Sequence, residues 1–254
     1  MHPGWNTTLD DELIIEEKDH VQLTFASYNI RKAIGADRRR DPHRILSILR
    51  EIDADVVALQ EVDRRFGRRV SALPLSAINE HTPYHCVPLS MKPDSIGWHG
   101  NALLVRRGIE LLNAAVVPMP VLEPRGAIRA DLLAAGERIR VVGMHLDLSG
   151  LRRRHQVRSI VDHVATNGEG CPTVLMGDLN EWSNRGRCFS EFDSSWQVLS
   201  PGLSFPARRP LAQLDRIIAS SDWDILGTHV HHSALSARGS DHLPVCAALQ
   251  LPNI

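Results

Sequence analysis

Read for its alternation of apolar and polar positions, the chain divides into many short apolar runs and few helical stripes. VQLTFASYNI (21–30), DVVALQE (55–61) and TVLMGD (173–178) are of the buried-strand kind. Further strands are expected at 84–89, 100–106, 109–117, 126–134, 137–146, 214–220, 222–233 and 243–251. Two segments have helical spacing instead. DPHRILSILREIDA (41–54) opens on Asp41 as N-cap with Pro42 at the first helical position, and places Ile45, Leu46, Ile48 and Leu49 on one face. The stretch near 150–167 carries Leu151, Val157, Ile160, Val161 and Val164 at the same period.

Strands therefore outnumber helices, and several neighbours are only a few residues apart. Short connections favour antiparallel pairing, because a parallel pair needs a long crossover. The expected fold class is α/β in the α+β sense: two facing, mixed but largely antiparallel sheets with helices outside, not a doubly wound parallel sheet. With 254 residues, no internal repeat and no Gly/Ser linker, the chain reads as one domain, 21–254, after a short acidic segment, 1–20.

Composition alters this picture little. At 43% hydrophobic and 23% charged residues it is that of an ordinary globular protein. No apolar run approaches the roughly 20 residues of a membrane span. The opening MHPGWNTTLDDELIIEEKDH lacks the basic start and apolar stretch of a secretory signal, so the cytoplasm is the expected location. Cys86, Cys171, Cys188 and Cys246 have no C-x-x-C spacing and read as reduced thiols. Net charge is −1, but residues 1–20 hold six acids and one base, which leaves 28 of the 29 basic and 24 of the 30 acidic side chains to the rest. That surplus is carried almost wholly by arginine, in clusters such as Arg38–Arg40, Arg152–Arg154 and Arg208/Arg209. It falls short of the broad basic face of a protein that tracks duplex DNA, and most such clusters are solvated faces, although arginine forks suit phosphate.

What does stand out is how the apolar runs end. FASYNI delivers Asn29, VVALQE Glu61, VVGMHL His145, and VLMGDLN both Asp178 and Asn180; Asp215 opens a strand, and Asp241 and His242 just precede another. One polar strand end is ordinary turn chemistry. Six ends rich in Asp, Glu, His and Asn and nearly without lysine are costly to bring together unless something stabilises negative charge there. A divalent cation with a phosphate substrate is the economical candidate, since hard oxygen ligands suit Mg²⁺ or Mn²⁺.

In order, YNI, LQEVD, GNALL, MHLDLS followed by RRRHQ, GDLN, LDRI and SDHLPV resemble the endonuclease/exonuclease/phosphatase superfamily, over about residues 24–249. That superfamily includes deoxyribonuclease I, exonuclease III, neutral sphingomyelinases and inositol polyphosphate 5-phosphatases. WHGNALLVR, EPRGAIRADL and SFPARRP further resemble a bacterial branch of it. The resemblance implies a four-layered αββα sandwich and Mg²⁺-dependent hydrolysis of a phosphate ester. Carried over motif by motif, Glu61 is the principal metal ligand with Asn29 and Asp241 in the metal shell. Asp178 orients or deprotonates the attacking water. Asn180, two places on along an extended segment, projects to the same side and holds Asp178 or the phosphate. His242, oriented by Asp215, stabilises charge on the phosphoryl oxygens, and His145 serves another phosphate oxygen or the leaving group. Asn101 and Arg125 are expected to touch substrate. Trp98, His99 and Trp182 could line a leaving-group pocket but are better explained by core or surface packing, and the other histidines, His231 and His232 included, carry no motif.

The expected activity is thus a Mg²⁺-dependent phosphoesterase, most simply a phosphodiesterase, with a small molecule or lipid headgroup favoured over nucleic acid as substrate. The alternatives are a DNA endonuclease or exonuclease of the same superfamily and an inactive binding protein. The last is disfavoured because every acid and histidine of the motif set is present. No G-x-S-x-G, G-x-x-x-x-G-K-[ST] or G-x-G-x-x-G supports a serine hydrolase or nucleotide-binding enzyme.

Overall fold

The computed structural model describes residues 20–64, 70–89, 94–121, 125–167 and 170–252. The acidic segment, His20 apart, lies outside them. The strands are β1 (Val21–Asn29), β2 (Val56–Gln60), β3 (Tyr84–Cys86), β4 (Ala102–Arg106), β5 (Glu110–Val116), β6 (Gly126–Ala134), β7 (Glu137–His145), β8 (Thr173–Asp178), β9 (Trp196–Leu199), β10 (Asp215–Ser220), β11 (Asp224–Val230) and β12 (Val245–Leu251). The helices are α1 (Pro42–Ile52), α2 (Leu75–His81), α3 (Gly150–Thr166) and α4 (Ser236–Gly239).

Two six-stranded sheets result, in the orders β11-β12-β1-β2-β4-β3 and β5-β6-β7-β8-β10-β9. Each sheet contains one parallel pair, β1/β2 in the first and β7/β8 in the second, and every other pairing is antiparallel. The parallel pairs are the two whose connections hold the long helices, α1 and α3, as the crossover requirement dictates.

Strand alternation separates three apolar layers. Phe25, Val56, Ala58, Leu103, Val141, Val174, Met176 and Ile217 point between the sheets. Ala26, Tyr28, Val57 and Leu59 face the other way, onto Ile45, Leu46, Ile48 and Leu49 of α1. Val142, Met144 and Leu175 pack in the same manner on Val157, Ile160 and Val164 of α3. The expected αββα sandwich is therefore the observed one.

α1 begins as its sequence predicts: the Asp41 side chain accepts from the Arg44 amide at 3.1 Å, and Pro42 occupies the first turn. It stops at Ile52 because Asp53 is left-handed, with φ 49°. Three elements lie outside the expected set, α2, β9 and the four-residue α4. α2 has a single buried apolar residue, Ile78, and no side-chain cap, and β9 is four residues long. None of the three offers enough periodicity to be read from sequence. The strand expected at 84–89 ends at Cys86, where pairing with β4 stops. All four cysteines are free thiols. Among the described residues no helix is long and apolar enough to cross a membrane.

Candidate active site

The two parallel pairs bring the polar strand ends together. Asn29 and His145 are the last residues of β1 and β7, Asp178 closes β8, and Glu61 follows β2 directly. Antiparallel neighbours complete the set from their opposite ends: Asp215, first in β10, pairs in register with Asp178, and His242 precedes β12 beside β1. A hydrogen bond from Asn29 Nδ2 to Asp178 Oδ2 (3.0 Å) joins the two sheets at this edge.

Asp178 is the hub. Its Oδ2 receives Asn29 and lies 3.3 Å from His145 Nε2 and 3.8 Å from His242 Nε2, while Oδ1 accepts the Asn180 backbone N–H at 2.9 Å. Burial acts to raise this carboxyl's pKa, but the charges of His242 and His145, the His145 hydrogen bond and the Asn180 amide outweigh it and hold it well below the usual carboxylate range. Asn180 does its part differently from the sequence expectation. With φ 51° it is left-handed, not extended, so it curls back over Asp178 and spends its side-chain amide on the Leu146 carbonyl (2.9 Å). Asn tolerates this conformation, which is why an amide and not a β-branched residue stands here.

His242 bridges two buried carboxylates. Because a carboxylate can only accept, the 2.9 Å contact to Asp215 Oδ2 fixes a proton on Nδ1. Burial alone drives the imidazolium down; Asp215 and Asp178 more than reverse it, and the pKa is pushed up to about 10. Burial raises the Asp215 carboxyl against the pull of His242 and of the Ser204 hydroxyl, which donates to it at 2.5 Å. Phe205 lies against the His242 ring at 4.8 Å between centroids.

The remaining acids are held by cations. Glu61, itself left-handed at φ 55°, is paired with Lys32, and Asp241 with Arg31 Nε at 3.2 Å. Burial raises the Glu61 carboxyl, and Lys32, His145 and Arg125 lower it to a net value below the ordinary one. Arg31, Lys32 and Ala33 all have positive φ, and with Glu61, His99 and Asn180 they make six of the nine non-glycine residues of that kind among those described. Backbone strain thus concentrates at this edge, as at functional sites generally. Arg125 Nη1 stands 3.5 Å from His145 Nδ1, and its carbonyl faces His99 Nδ1 at 3.0 Å. Asn101 donates to the Trp98 and Gly126 carbonyls, and its buried Oδ1 has no partner among the described residues.

Two groups of ligand atoms bear on metal binding. Atoms of Asp178, Asp215 and His242 lie within 4.8 Å of one another, but a histidine with a carboxylate facing each nitrogen retains its proton and is a poor ligand. Glu61, Asp241 and the Asn29 amide oxygen, the set the family resemblance implies, are hard oxygens, and each is engaged here by the turn after β1: Glu61 by Lys32, Asp241 by Arg31 and Asn29 Oδ1 by the Arg31 amide at 3.0 Å.

The chain matches the Endonuclease/Exonuclease/phosphatase family over residues 26–242. The chain belongs to that family. The Escherichia coli protein YbhP is 26% identical over 245 residues, covering 88% of this chain and 94% of YbhP. An endonuclease/exonuclease/phosphatase from Bacteroides vulgatus superposes with a TM-score of 0.72 at 16% identity, covering 91% of this chain and all (100%) of that one. The human Nocturnin catalytic domain with a bound sulfate anion gives 0.70 at 18%, covering 92% and 97%. At such identities the two structures speak for the fold.

Sequence reasoning missed five contributors: Arg31 and Lys32, just past the end of β1, and Ser204, Phe205 and Ser240. Ser204 and Phe205 belong to SFPARRP, a conspicuous motif without an evident chemical role; Ser240 donates to the Asn29 carbonyl at 2.7 Å. Trp98 and His99 stack on each other at 4.5 Å, whereas Trp182 is not packed away but largely exposed.

Proposed function

We propose that the protein is a divalent-metal-dependent phosphoesterase, most simply a phosphodiesterase, that hydrolyses its substrate by in-line attack of water. The observation that carries this reading is the caged, ionised Asp178, held by side chains from both sheets beside a histidine anchored on Asp215. A carboxylate held so low accepts a hydrogen bond from water and orients it, while Asn29 and Asn180 fix the direction in which it does so. At 3.8 Å the His242 Nε2–H is beyond hydrogen-bond distance of Asp178, which leaves that N–H to meet a phosphoryl oxygen. Asp215 and Ser204 keep the imidazolium in place. His145, with Nε2 toward Asp178 and Arg125 at Nδ1, serves a second phosphate oxygen or the leaving group, and Arg125 grips the phosphate. The unpartnered Asn101 oxygen is suited to a water or a substrate hydroxyl.

Glu61, with Asn29 and Asp241, would hold Mg²⁺ or Mn²⁺, which supplies Lewis-acid neutralisation of the phosphoryl charge. The test is turnover of bis-p-nitrophenyl phosphate, abasic DNA and plasmid with Mg²⁺ by wild type, Glu61→Gln and Asp178→Asn. Each substitution is expected to lower kcat by about 10²–10⁴. Wild-type inactivity on every phosphate ester, or full activity of Asp178→Asn, refutes the reading; cleavage of DNA alone moves it to a nuclease.

A further inference from the structure

The four most exposed large apolar side chains among the described residues are Leu148 (72%), Leu211 (68%), Leu151 (67%) and Trp182 (65%), and none of the others exceeds 51%. Single exposed leucines need no explanation. These four share one address. Leu148 and, in the first turn of α3, Leu151 follow His145, Trp182 follows Asp178, and Leu211 precedes Asp215, so all stand on the segments that carry the site. Local contacts tie those loops into one rim. Arg153 reaches both the Leu148 carbonyl (2.7 Å) and Glu181 (2.9 Å), next to Trp182. The Trp182 ring meets Phe205 edge-on at 5.9 Å, Phe205 touches His242, and the Leu211 amide donates to the Phe205 carbonyl at 2.8 Å.

Charge on the same loops is one-sided. Segments 147–155, 181–187 and 203–213 hold seven arginines against two acids, in a chain with 29 basic and 30 acidic side chains overall. Both acids are engaged locally, Asp147 by Arg152 at 3.6 Å and Glu181 by Arg153 at 2.9 Å. Arg185, Arg187, Arg208 and Arg209 are exposed and have no carboxylate partner among the described residues.

We infer that these loops form a collar that seats the protein on an anionic phospholipid surface, with the site facing the headgroups. Exposed leucines and a tryptophan enter the headgroup boundary, and unpaired arginines around them meet lipid phosphates. A groove for single-stranded nucleic acid is built otherwise, from successive aromatic platforms for the bases, and this rim offers one exposed aromatic among three leucines. The inference deepens the phosphoesterase reading, on which it rests for what is done to the lipid, by naming the substrate class as phospholipid.

Binding is tested without metal, in EDTA, by co-sedimentation with phosphatidylcholine vesicles and with vesicles in which about one-third of the lipid is phosphatidylglycerol. Wild type is expected to bind the anionic vesicles, with a blue shift of tryptophan emission. Leu148→Ser/Leu151→Ser/Leu211→Ser should weaken this roughly tenfold or more. Arg208→Gln/Arg209→Gln should weaken it and flatten its dependence on salt. The altered side chains are exposed, so hydrolysis of soluble bis-p-nitrophenyl phosphate should be unchanged, and Glu61→Gln should bind vesicles like wild type. Failure of wild type to bind, equal binding by the triple variant, or a triple-variant defect confined to an oligonucleotide overturns the collar. Vesicle binding as expected by a protein that hydrolyses no phosphate ester supports the collar and refutes the phosphoesterase. Turnover without vesicle binding does the reverse.

Discussion

At the scale of single residues, the decisive feature is a proton held between acids. The His242 pKa is raised to about 10 from an unfolded value near 6.5. By linkage its contribution to stability is complete below about pH 6.5 and is lost as pH rises through about 10. Asp178 has the opposite sign: its depressed carboxyl stabilises the fold above the unfolded pKa, and that part is lost as pH falls through its folded value. Metal-free protein is therefore expected to show an imidazolium ring for His242 by ¹⁵N NMR throughout pH 6–8. In Asp215→Asn the ring should become neutral within that range, because burial then acts with less opposition. A ring that titrates alike in both proteins would sink the assignment. The partners that shape this chemistry were partly legible beforehand. Asp215 and His242 announce themselves through LDRI and SDHLPV, whereas Ser204, eleven positions before Asp215, does not, because a serine in a loop has no pattern until the chain is folded.

Among elements, β7 and β8 show how closely the site depends on backbone approach. Gly177, one place before Asp178, pairs in register with Met144, and a Cβ there would lie 1.8 Å from the Met144 carbonyl oxygen. Gly177→Ala is expected to cost about 1–3 kcal/mol, the usual range for overpacking, or more, and to reduce turnover by displacing Asp178. Thermal unfolding and kcat measured together check this; an unchanged Tm contradicts it. Leu46→Ala in α1, buried in the outer apolar layer, should cost about 2–5 kcal/mol while leaving kcat of the folded fraction near wild type. The long elements were legible because each buries a whole face: β6, β7, α1 and α3 run close to their expected bounds. α2 and β9 were not, since both are short and depend on neighbours, and the turn at Asn180 was missed because Asn fits an extended and a left-handed backbone alike.

For the molecule as a whole, cation binding should be visible apart from catalysis. A metal that binds only folded protein raises Tm by mass action, by an amount equivalent to about 2.7 kcal/mol at a hundredfold excess over Kd. Mg²⁺ or Mn²⁺ is expected to raise the Tm of wild type and to leave Glu61→Gln nearly unmoved; equal shifts in both would place the cation elsewhere. The Asn29–Asp178 hydrogen bond spans the seam between the sheets, so neither half of the sandwich contains a complete set of reactive groups. The enzyme is in effect a reporter of its own assembly. In a urea titration catalysis should vanish no later than the tertiary signal, and a fragment comprising one sheet should be inert until its complement is added back.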